Sequence, residues 1–193
     1  MTDTPDLAAL IGSRICHDLI SPIGAISNGV ELLAMTGAAA TPEMELISAS
    51  VAQANARIRF FRIAFGVASE GQAVGRAEAV SILDDMTASG RIRVDWAVAG
   101  DLDRQETKLA FLLIQCLETA LAFGGTITLD GPRSLRAEAR RLRAIPDQWA
   151  VLEGRSNDVS ASHVHFALAA HAIAAQGATA RVEVTETTIR ITF

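Results

Sequence analysis

The sequence predicts an α+β protein in two parts: an N-terminal antiparallel helical hairpin that forms a dimeric four-helix bundle, and a C-terminal α/β sandwich. Apolar residues at helical spacing through the first part of the chain predict the hairpin. After Gly71 and Gly75 the pattern changes, and alternating strand patterns follow together with further helical ones. We therefore predict one domain over residues 1–70 and a second over residues 71–193.

The first predicted helix begins near Asp6 and ends near Met35. Its apolar residues recur three or four positions apart and form one continuous stripe: Ile11, Ile15, Leu19, Ile23, Ile26, Val30 and Leu33. Gly37 can end this helix, Thr41 can cap the next one, and Pro42 fits a first helical position.

The second predicted helix carries a strict heptad of apolar residues, typical of helix-to-helix packing. The heptad positions are Met44, Ile47, Val51, Ala54, Ile58, Phe61 and Phe65. A single hairpin has few internal partners for so much apolar surface, whereas two hairpins from two copies would bury it in a four-helix bundle. We therefore expect a homodimer. The alternative is that the hairpin packs on the rest of its own chain.

The second half of the chain mixes helical and strand patterns, which predicts a sheet covered by helices on one face. The predicted elements are a helix over 76–89, a strand over 91–98, a buried helix over 104–123, a strand over 126–131, a helix over 163–176 and a strand hairpin over 180–193. Segment 135–144 fits either an exposed strand or a polar helix. We expect the sheet to be antiparallel or mixed.

Composition argues against several classes of function. A net charge of −5 and a pI of about 5.3 disfavour a nucleic-acid-binding protein. Cys16 and Cys116 lack metal or redox spacing and fit reduced thiols. The apolar run 109–123 is shorter than the ~20 residues of a membrane span, and the N-terminus lacks a signal-peptide pattern. We expect a cytoplasmic protein. It should hold no metal, because His163 and His165 diverge on a helix and lack a third ligand.

His17 is the candidate reactive group. It lies two residues from the stripe positions Ile15 and Leu19, roughly 200° around the helix, and therefore points away from the stripe. Mostly small or polar residues share its face: Ser13, Arg14, Ile20, Ser21, Gly24 and Asn28. A neutral imidazole is a nucleophile near neutral pH. The alternative is an ordinary surface histidine.

Three neighbours of His17 can assist a nucleophilic role. Asp18 can hold the second ring nitrogen or accept its proton. Ser21, one turn further on, can hydrogen-bond a transferred group. Pro22 lacks an N–H and so frees a backbone carbonyl near Asp18. We name His17, Asp18 and Ser21 as the candidate catalytic residues.

The segment RICHDLISPIGAISNGVELL (residues 14–33) resembles the phosphoacceptor region of the ChpT-type histidine phosphotransferases of alphaproteobacteria, and HDLISP resembles the phosphoacceptor box of histidine kinases. That family has a kinase-like dimerisation hairpin followed by a degenerate histidine-kinase ATPase domain. The resemblance implies that His17 takes a phosphoryl group from a receiver-domain aspartate, often in a hybrid histidine kinase, and passes it to response-regulator aspartates. It also implies that the receiver partner supplies Mg²⁺ and that this chain binds no cofactor.

The resemblance further implies a docking surface for the receiver on the first helix and the facing part of the second. Its candidate residues are Arg14, Ile20, Pro22, Gly24, Asn28 and Arg57. Arg57, Arg59 and Arg62 lie level with His17 in a symmetric hairpin and can meet an acidic receiver face. They can equally be solvated or paired with acids of this chain.

A working kinase would carry asparagines on the helix at 108–123, where this chain has Gln115 and Thr119, together with glycine-rich nucleotide loops. Between Pro132 and Gln176 the only glycine is Gly154. We therefore expect neither ATP binding nor autokinase activity. Two alternatives to the relay function remain: a non-catalytic dimeric adaptor that binds or inhibits a kinase or receiver, and a kinase with unrecognised nucleotide motifs.

Overall fold

The computed structural model describes residues 11, 14–15, 18–19, 21–26, 28–29, 32, 42–66, 68, 71–88 and 90–193. Every described residue from 11 to 32 is helical, and we call this set the N-terminal helical residues. The predicted first helix is confirmed at these positions. The predicted helix end at Gly37 and the predicted cap at Thr41 lie outside the described residues.

The second helix of the hairpin is α1 (Pro42–Ala64). It begins at the predicted proline, since a proline at the first helical position gives up only an N–H that has no intrahelical partner. Glu43 lies in its first turn and Arg62 in its last, where each complements the helix dipole. The predicted second helix is therefore confirmed.

Two glycines among the N-terminal helical residues have contrasting surroundings. Gly29 is buried, and a Cβ added there would lie 2.3 Å from Cγ1 of Ile47 in α1. Gly24 is exposed, and a Cβ there would meet none of the described atoms within 4 Å. Gly29 therefore permits close approach of the two helices, whereas Gly24 leaves an open surface.

The predicted heptad of α1 divides into two regions. In the first region, Met44, Val51 and Ile58 are 41%, 40% and 50% exposed. In the second, Phe61 is buried in the main core of the protein beside Phe60, which lies outside the heptad. The end of α1 therefore packs on the rest of its own chain, while the upstream stripe stays open in the single chain.

From residue 71 onwards the chain folds into short strands and four helices. The elements are β1 (Ala73–Val74), α2 (Arg76–Thr87), β2 (Ile92–Trp96), β3 (Leu102–Asp103), α3 (Arg104–Ala120), β4 (Gly125–Gly131), β5 (Ser134–Glu138), α4 (Pro146–Leu152), a 3-10 turn (Ala161–His163), α5 (Val164–Ala174), β6 (Arg181–Val184) and β7 (Thr188–Thr192). Each helix and strand that the sequence predicted in this half is found, with ends shifted by a few residues.

The structure resolves one ambiguity and adds elements that the sequence did not predict. Segment 135–144 begins in strand β5 and continues without regular structure. α4 begins at Pro146, which occupies the start of the helix. β1 and β3 pair antiparallel, with Ala73 opposite Asp103.

Five strands form a mixed sheet in the order β2-β4-β5-β7-β6. β2 and β4 are parallel and are joined by a crossover that contains α3, whereas the other pairs are antiparallel. Buried residues alternate with more exposed ones along β4, β5 and β7, so one face of the sheet carries the core. Leu135 lies opposite Leu129 on one side and Ile191 on the other, which continues the apolar row across three strands. The expected mixed sheet is confirmed.

α3 is the central helix of the core. Most of its 17 residues are buried, and the Asp103 side chain caps its start by accepting the backbone N–H of Glu106 at 2.7 Å. Phe111 stacks on Phe60 of α1 with ring centroids 4.9 Å apart. Among the helices that the structure describes, none is both long and apolar enough to cross a membrane.

Two basic side chains of α3 bind carbonyls at the end of α1, where helical carbonyls lack intrahelical donors. Arg104 Nη2 donates to the carbonyl of Arg62 at 2.7 Å, and Lys108 Nζ donates to that of Gly66 at 2.8 Å. Burial lowers the pKa of Lys108, and the charge of Arg104 lowers it further. Both the core and these polar contacts link the two predicted domains, so the division at residue 70 stays a prediction.

Candidate functional site

The predicted site residues fall into two groups. His17 and Ile20 lie outside the described residues, as do Ser13 and Cys16. The described ones are Arg14, Asp18, Ser21, Pro22, Gly24, Asn28 and Arg57. The geometry of the site is therefore built from these residues.

The small polar face that the sequence predicted is open at three positions. Ser21, Gly24 and Asn28 are all exposed, and their spacing of three and four places them on one side of a helix. Pro22 is buried. Its predicted place on the docking surface stays a prediction.

Asp18 is held by two arginines. Arg14 Nη2 lies 2.7 Å from Asp18 Oδ2, one helical turn away, and Arg57 Nη1 lies 3.8 Å from the same oxygen. The Asp18 side chain is only 8% exposed. Asp18 is therefore fixed by charge on the side of the helix that faces α1.

The same arginines connect the hairpin to the second half of the chain. Arg57 Nη2 lies 3.8 Å from Glu118 Oε1 in α3. Arg14 Nη1 donates to the carbonyl of Ser162 at 2.8 Å, just before α5. Asp18, which follows His17 in sequence, is thus linked to the α/β part through Arg14 and Arg57. Arg57, predicted as a docking residue, points into this junction.

Burial raises the pKa of Glu118, while the charges of Arg57 and Arg14 act in the opposite direction. The carboxyl group is half-buried beside these guanidinium groups. A raised pKa next to two cations means that desolvation outweighs attraction at this position.

The other two arginines of the predicted face pair elsewhere. Arg59 Nη1 lies 2.5 Å from Asp85 Oδ2 in α2. Arg62 Nη2 lies 4.0 Å from Glu78 Oε1, also in α2. Both pairs are exposed, so each contributes less than about 1 kcal/mol to stability. Arg59 and Arg62 therefore each have an acidic partner in their own chain, and their contact with a receiver stays a prediction.

Gln115 and Thr119 lie where a working kinase would carry asparagines. The Thr119 side chain forms hydrogen bonds within the protein interior. Gln115 is 1% exposed. The Thr119 hydroxyl donates to the Gln115 carbonyl at 3.0 Å and lies 3.2 Å from Nε2 of His165. Because the hydroxyl hydrogen goes to the carbonyl, Nε2 of His165 donates to the Thr119 oxygen.

His165 is a buried imidazole, and its burial favours the neutral form. Its Nδ1 is buried and has no hydrogen-bond partner within the described part of the chain. Burial lowers the pKa of His165 well below its ordinary value, and the positive charge of Arg14 adds to the effect. Protonation would place a hydrogen on Nδ1 with nothing to receive it.

We expect the free energy of unfolding to fall as the pH drops below about 6.5, the ordinary pKa of histidine. Below this pH the unfolded chain binds a proton at His165, whereas in the folded chain the lowered pKa of His165 opposes protonation. Stability is therefore complete above the unfolded pKa and is lost as the pH falls towards the folded one, with a slope approaching about 1.4 kcal/mol per pH unit for one proton. Urea unfolding at a series of pH values measures this slope.

His165→Gln should reduce the slope of the free energy of unfolding against pH by up to about 1.4 kcal/mol per pH unit, the contribution of one proton. His171→Gln makes the same substitution at an exposed position of the same helix, α5, and is the matched control. Equal slopes in the parent and in His165→Gln would contradict the assignment.

Comparison with known proteins decides the family. Residues 76–188 match the model of the histidine phosphotransferase C-terminal domain. A curated relative from Brucella abortus (strain 2308), named protein phosphotransferase ChpT, is 36% identical over 155 residues, which is 76% of this chain and 74% of that protein. The chain belongs to the ChpT-type histidine phosphotransferase family. A solved bacterial phosphotransferase superposes with a TM-score of 0.81 at 31% identity, over 96% of this chain and 94% of that one.

In this phosphotransferase, sequence reasoning missed the residues that join the hairpin to the α/β part. Glu118 and Ser162 meet Arg57 and Arg14, but no local motif marks them. Arg14 and Ser162 are 148 positions apart, so their contact arises only from the tertiary fold. A family resemblance predicts the reactive segment and gives no information on such contacts.

Proposed function

We propose that the protein relays a phosphoryl group through His17, from the aspartyl phosphate of a receiver domain to the aspartate of a response regulator. The observation that carries the proposal is the open helical face at Ser21, Gly24 and Asn28, directly after His17, in a member of the histidine phosphotransferase family. Small exposed residues allow a partner backbone to come close, which an in-line transfer requires.

The proposed step breaks one bond and forms one. A ring nitrogen of His17 attacks the phosphorus of the aspartyl phosphate, an N–P bond forms, and the P–O bond breaks with its electron pair going to the receiver carboxylate. The second transfer reverses this at another receiver. The receiver supplies Mg²⁺, and this chain needs no cofactor for the step.

Asp18 and Ser21 have distinct roles in the proposal. Asp18, which Arg14 and Arg57 hold in place, either holds the second ring nitrogen of His17 or accepts its proton. The exposed hydroxyl of Ser21 is available to hydrogen-bond the phosphoryl oxygens. The receiver docks on the exposed face at Ser21, Gly24 and Asn28. Arg14, Ile20, Pro22 and Arg57 stay predicted docking residues.

Transfer from a phosphorylated receiver domain tests the proposal. The protein is incubated with a receiver carrying a radiolabelled aspartyl phosphate, and separately with ATP labelled on the γ-phosphate. Label should move from the receiver to the protein and should not move from ATP. Binding of the receiver without transfer would overturn the relay in favour of the adaptor, and labelling by ATP would identify a kinase.

We also propose that two copies associate through the open stripe of α1. Met44, Val51 and Ile58 repeat at seven-residue intervals and are 41%, 40% and 50% exposed. Leu32, on the neighbouring helix, is 42% exposed. A second hairpin would remove this apolar surface from water, and each Å² contributes about 25 cal/mol.

Ile58→Glu should weaken self-association by about a hundredfold or more, because two-fold symmetry would bring two carboxylates into an apolar contact. Analytical ultracentrifugation over a range of concentrations measures the shift to monomer. Gln53→Glu adds the same charge on the opposite side of α1, where the residue is exposed, and should leave the dimer intact. A monomeric parent protein, or equal effects of both variants, would contradict the proposed interface.

A further inference from the structure

A polar cavity of about 320 Å³ lies where the N-terminal helical residues, α1, α3 and the segment before α5 meet. Four of the side chains that line it are basic: Arg14, Arg57, Arg143 and His163. Gln115 and Glu118 line it from α3. The volume falls at the lower end of the ~300–1,000 Å³ range of small-molecule pockets.

The arginines that line this cavity have side-chain N–H groups that are not fully used in hydrogen bonds. Arg14 Nε is buried and finds no hydrogen-bond partner among the described residues. Both ion pairs of Arg57 measure 3.8 Å, which is longer than a hydrogen bond. Within the described part of the chain, no hydrogen bond or ion pair of the Arg143 side chain is found. These guanidinium groups therefore still have N–H groups available for an acceptor.

Gln115 provides a second, independent indication of a ligand. Its side chain is almost completely buried, yet neither the amide nitrogen nor the amide oxygen has a hydrogen-bond partner in the described structure. Leaving such a group unpaired costs about 1–3 kcal/mol. Because Gln115 lines the cavity, a molecule bound there can pair with it.

We propose that this cavity binds a small molecule carrying a phosphate-type oxyanion. Arginine forks match the oxygens of phosphate in pairs, and three of them converge here. The Gln115 amide adds one further donor for the anion and one acceptor for a protonated oxygen or a neighbouring ligand group. The site is separate from the open face at Ser21 and Gly24, neither of which lines it.

The charge of Glu118 affects the binding of an anion in this cavity. As a carboxylate it would repel the anion, but burial raises its pKa and so favours the neutral form more than usual. Three arginines, Arg14, Arg57 and Arg143, outnumber the two carboxyl groups of Glu118 and Asp18, so the cavity keeps a net positive charge.

Binding should stabilise the folded chain, since a ligand of the native state raises stability with its concentration. The full-length protein is titrated with inorganic phosphate, and in a second arm with AMP, against sodium chloride at matched ionic strength. Isothermal titration calorimetry measures affinity, and thermal unfolding reports stabilisation. Saturable binding of phosphate alone identifies the free anion as the ligand, whereas tighter binding of AMP identifies a phosphate ester. Either result supports the cavity.

Two variants decide where the anion binds. Arg143→Ala removes a side chain at the edge of the cavity and should weaken binding at least tenfold, and Gln115→Leu should do the same. Arg141→Ala is the control, because Arg141 lies over the Phe123 ring outside the cavity, 4.6 Å from its centroid, and should bind as the parent does. If Gln115→Leu fails to fold, Arg143→Ala still decides. No saturable binding beyond chloride, or parent affinity in Arg143→Ala, would overturn the proposal.

Discussion

His17→Ala is expected to lower the rate of label transfer from a phosphorylated receiver by about a thousandfold or more, because it removes the only group proposed to form the N–P bond. Binding of the receiver should persist, since the open face at Ser21, Gly24 and Asn28 is unchanged. Initial rates of label transfer and the affinity for the receiver are measured on the same preparation. The relay therefore predicts a loss of chemistry with retained docking.

Two controls distinguish a loss of chemistry from a loss of folding or a general effect of removing a histidine. Thermal unfolding should show that His17→Ala is as stable as the parent to within a few degrees. His171→Ala removes an exposed histidine from α5 and should transfer label at the parent rate. Residual transfer above one tenth of the parent rate in folded His17→Ala would contradict the assignment of His17.

Phe111→Ala should lower the free energy of unfolding by about 3–5 kcal/mol, because it removes a large side chain and leaves a cavity. Phe111 is fully buried, stacks on Phe60 at 4.9 Å and meets the edge of Trp96 at 6.2 Å. These contacts join α3 to α1 on one side and to β2 on the other. Urea unfolding measures the change.

Phe123→Ala is the matched control for this prediction. Phe123 is 52% exposed, and its described ring partner is the guanidinium of Arg141. Its loss should cost less than about 1 kcal/mol. A cost for Phe111→Ala no larger than that of Phe123→Ala would contradict the central position of α3 in the core.

Long periodic elements were predictable from the sequence because their pattern repeats several times. The helix over 104–123 and the closing strand hairpin are found close to their predicted bounds. α4 (Pro146–Leu152) was missed because seven residues hold too few repeats to show a period. The pairing of β1 with β3 was missed for the same reason, as each strand has two residues.

The heptad of α1 shows a different limit. Periodicity predicts an apolar face but not what covers it. Phe61 packs on the chain's own core, whereas Ile58, less than one turn away, stays exposed. Only the tertiary fold separates the two regions: α3 contacts α1 at Arg57, Phe60 and Arg62, in the last part of the helix.

At the candidate site, the reactive segment was predictable from its resemblance to a family. The contacts that hold Asp18 and its two arginines in place were not. Arg14 and Arg57 could be noted as cations on a helix face. Their contacts with Ser162 and Glu118 bring together distant parts of the chain. These contacts give the α/β part a structural role: it binds the arginines that hold Asp18, the residue that follows the proposed phosphoacceptor in sequence.

The most direct test of the relay is a chase from the phosphorylated protein itself. The protein is labelled through a receiver, purified away from it, and mixed with a second, unphosphorylated receiver in the presence of Mg²⁺. Label is expected to leave His17 and to appear on the receiver aspartate, in proportion to the receiver added. Label that stays on the protein, maps to a residue other than His17, or appears only as free phosphate would contradict it.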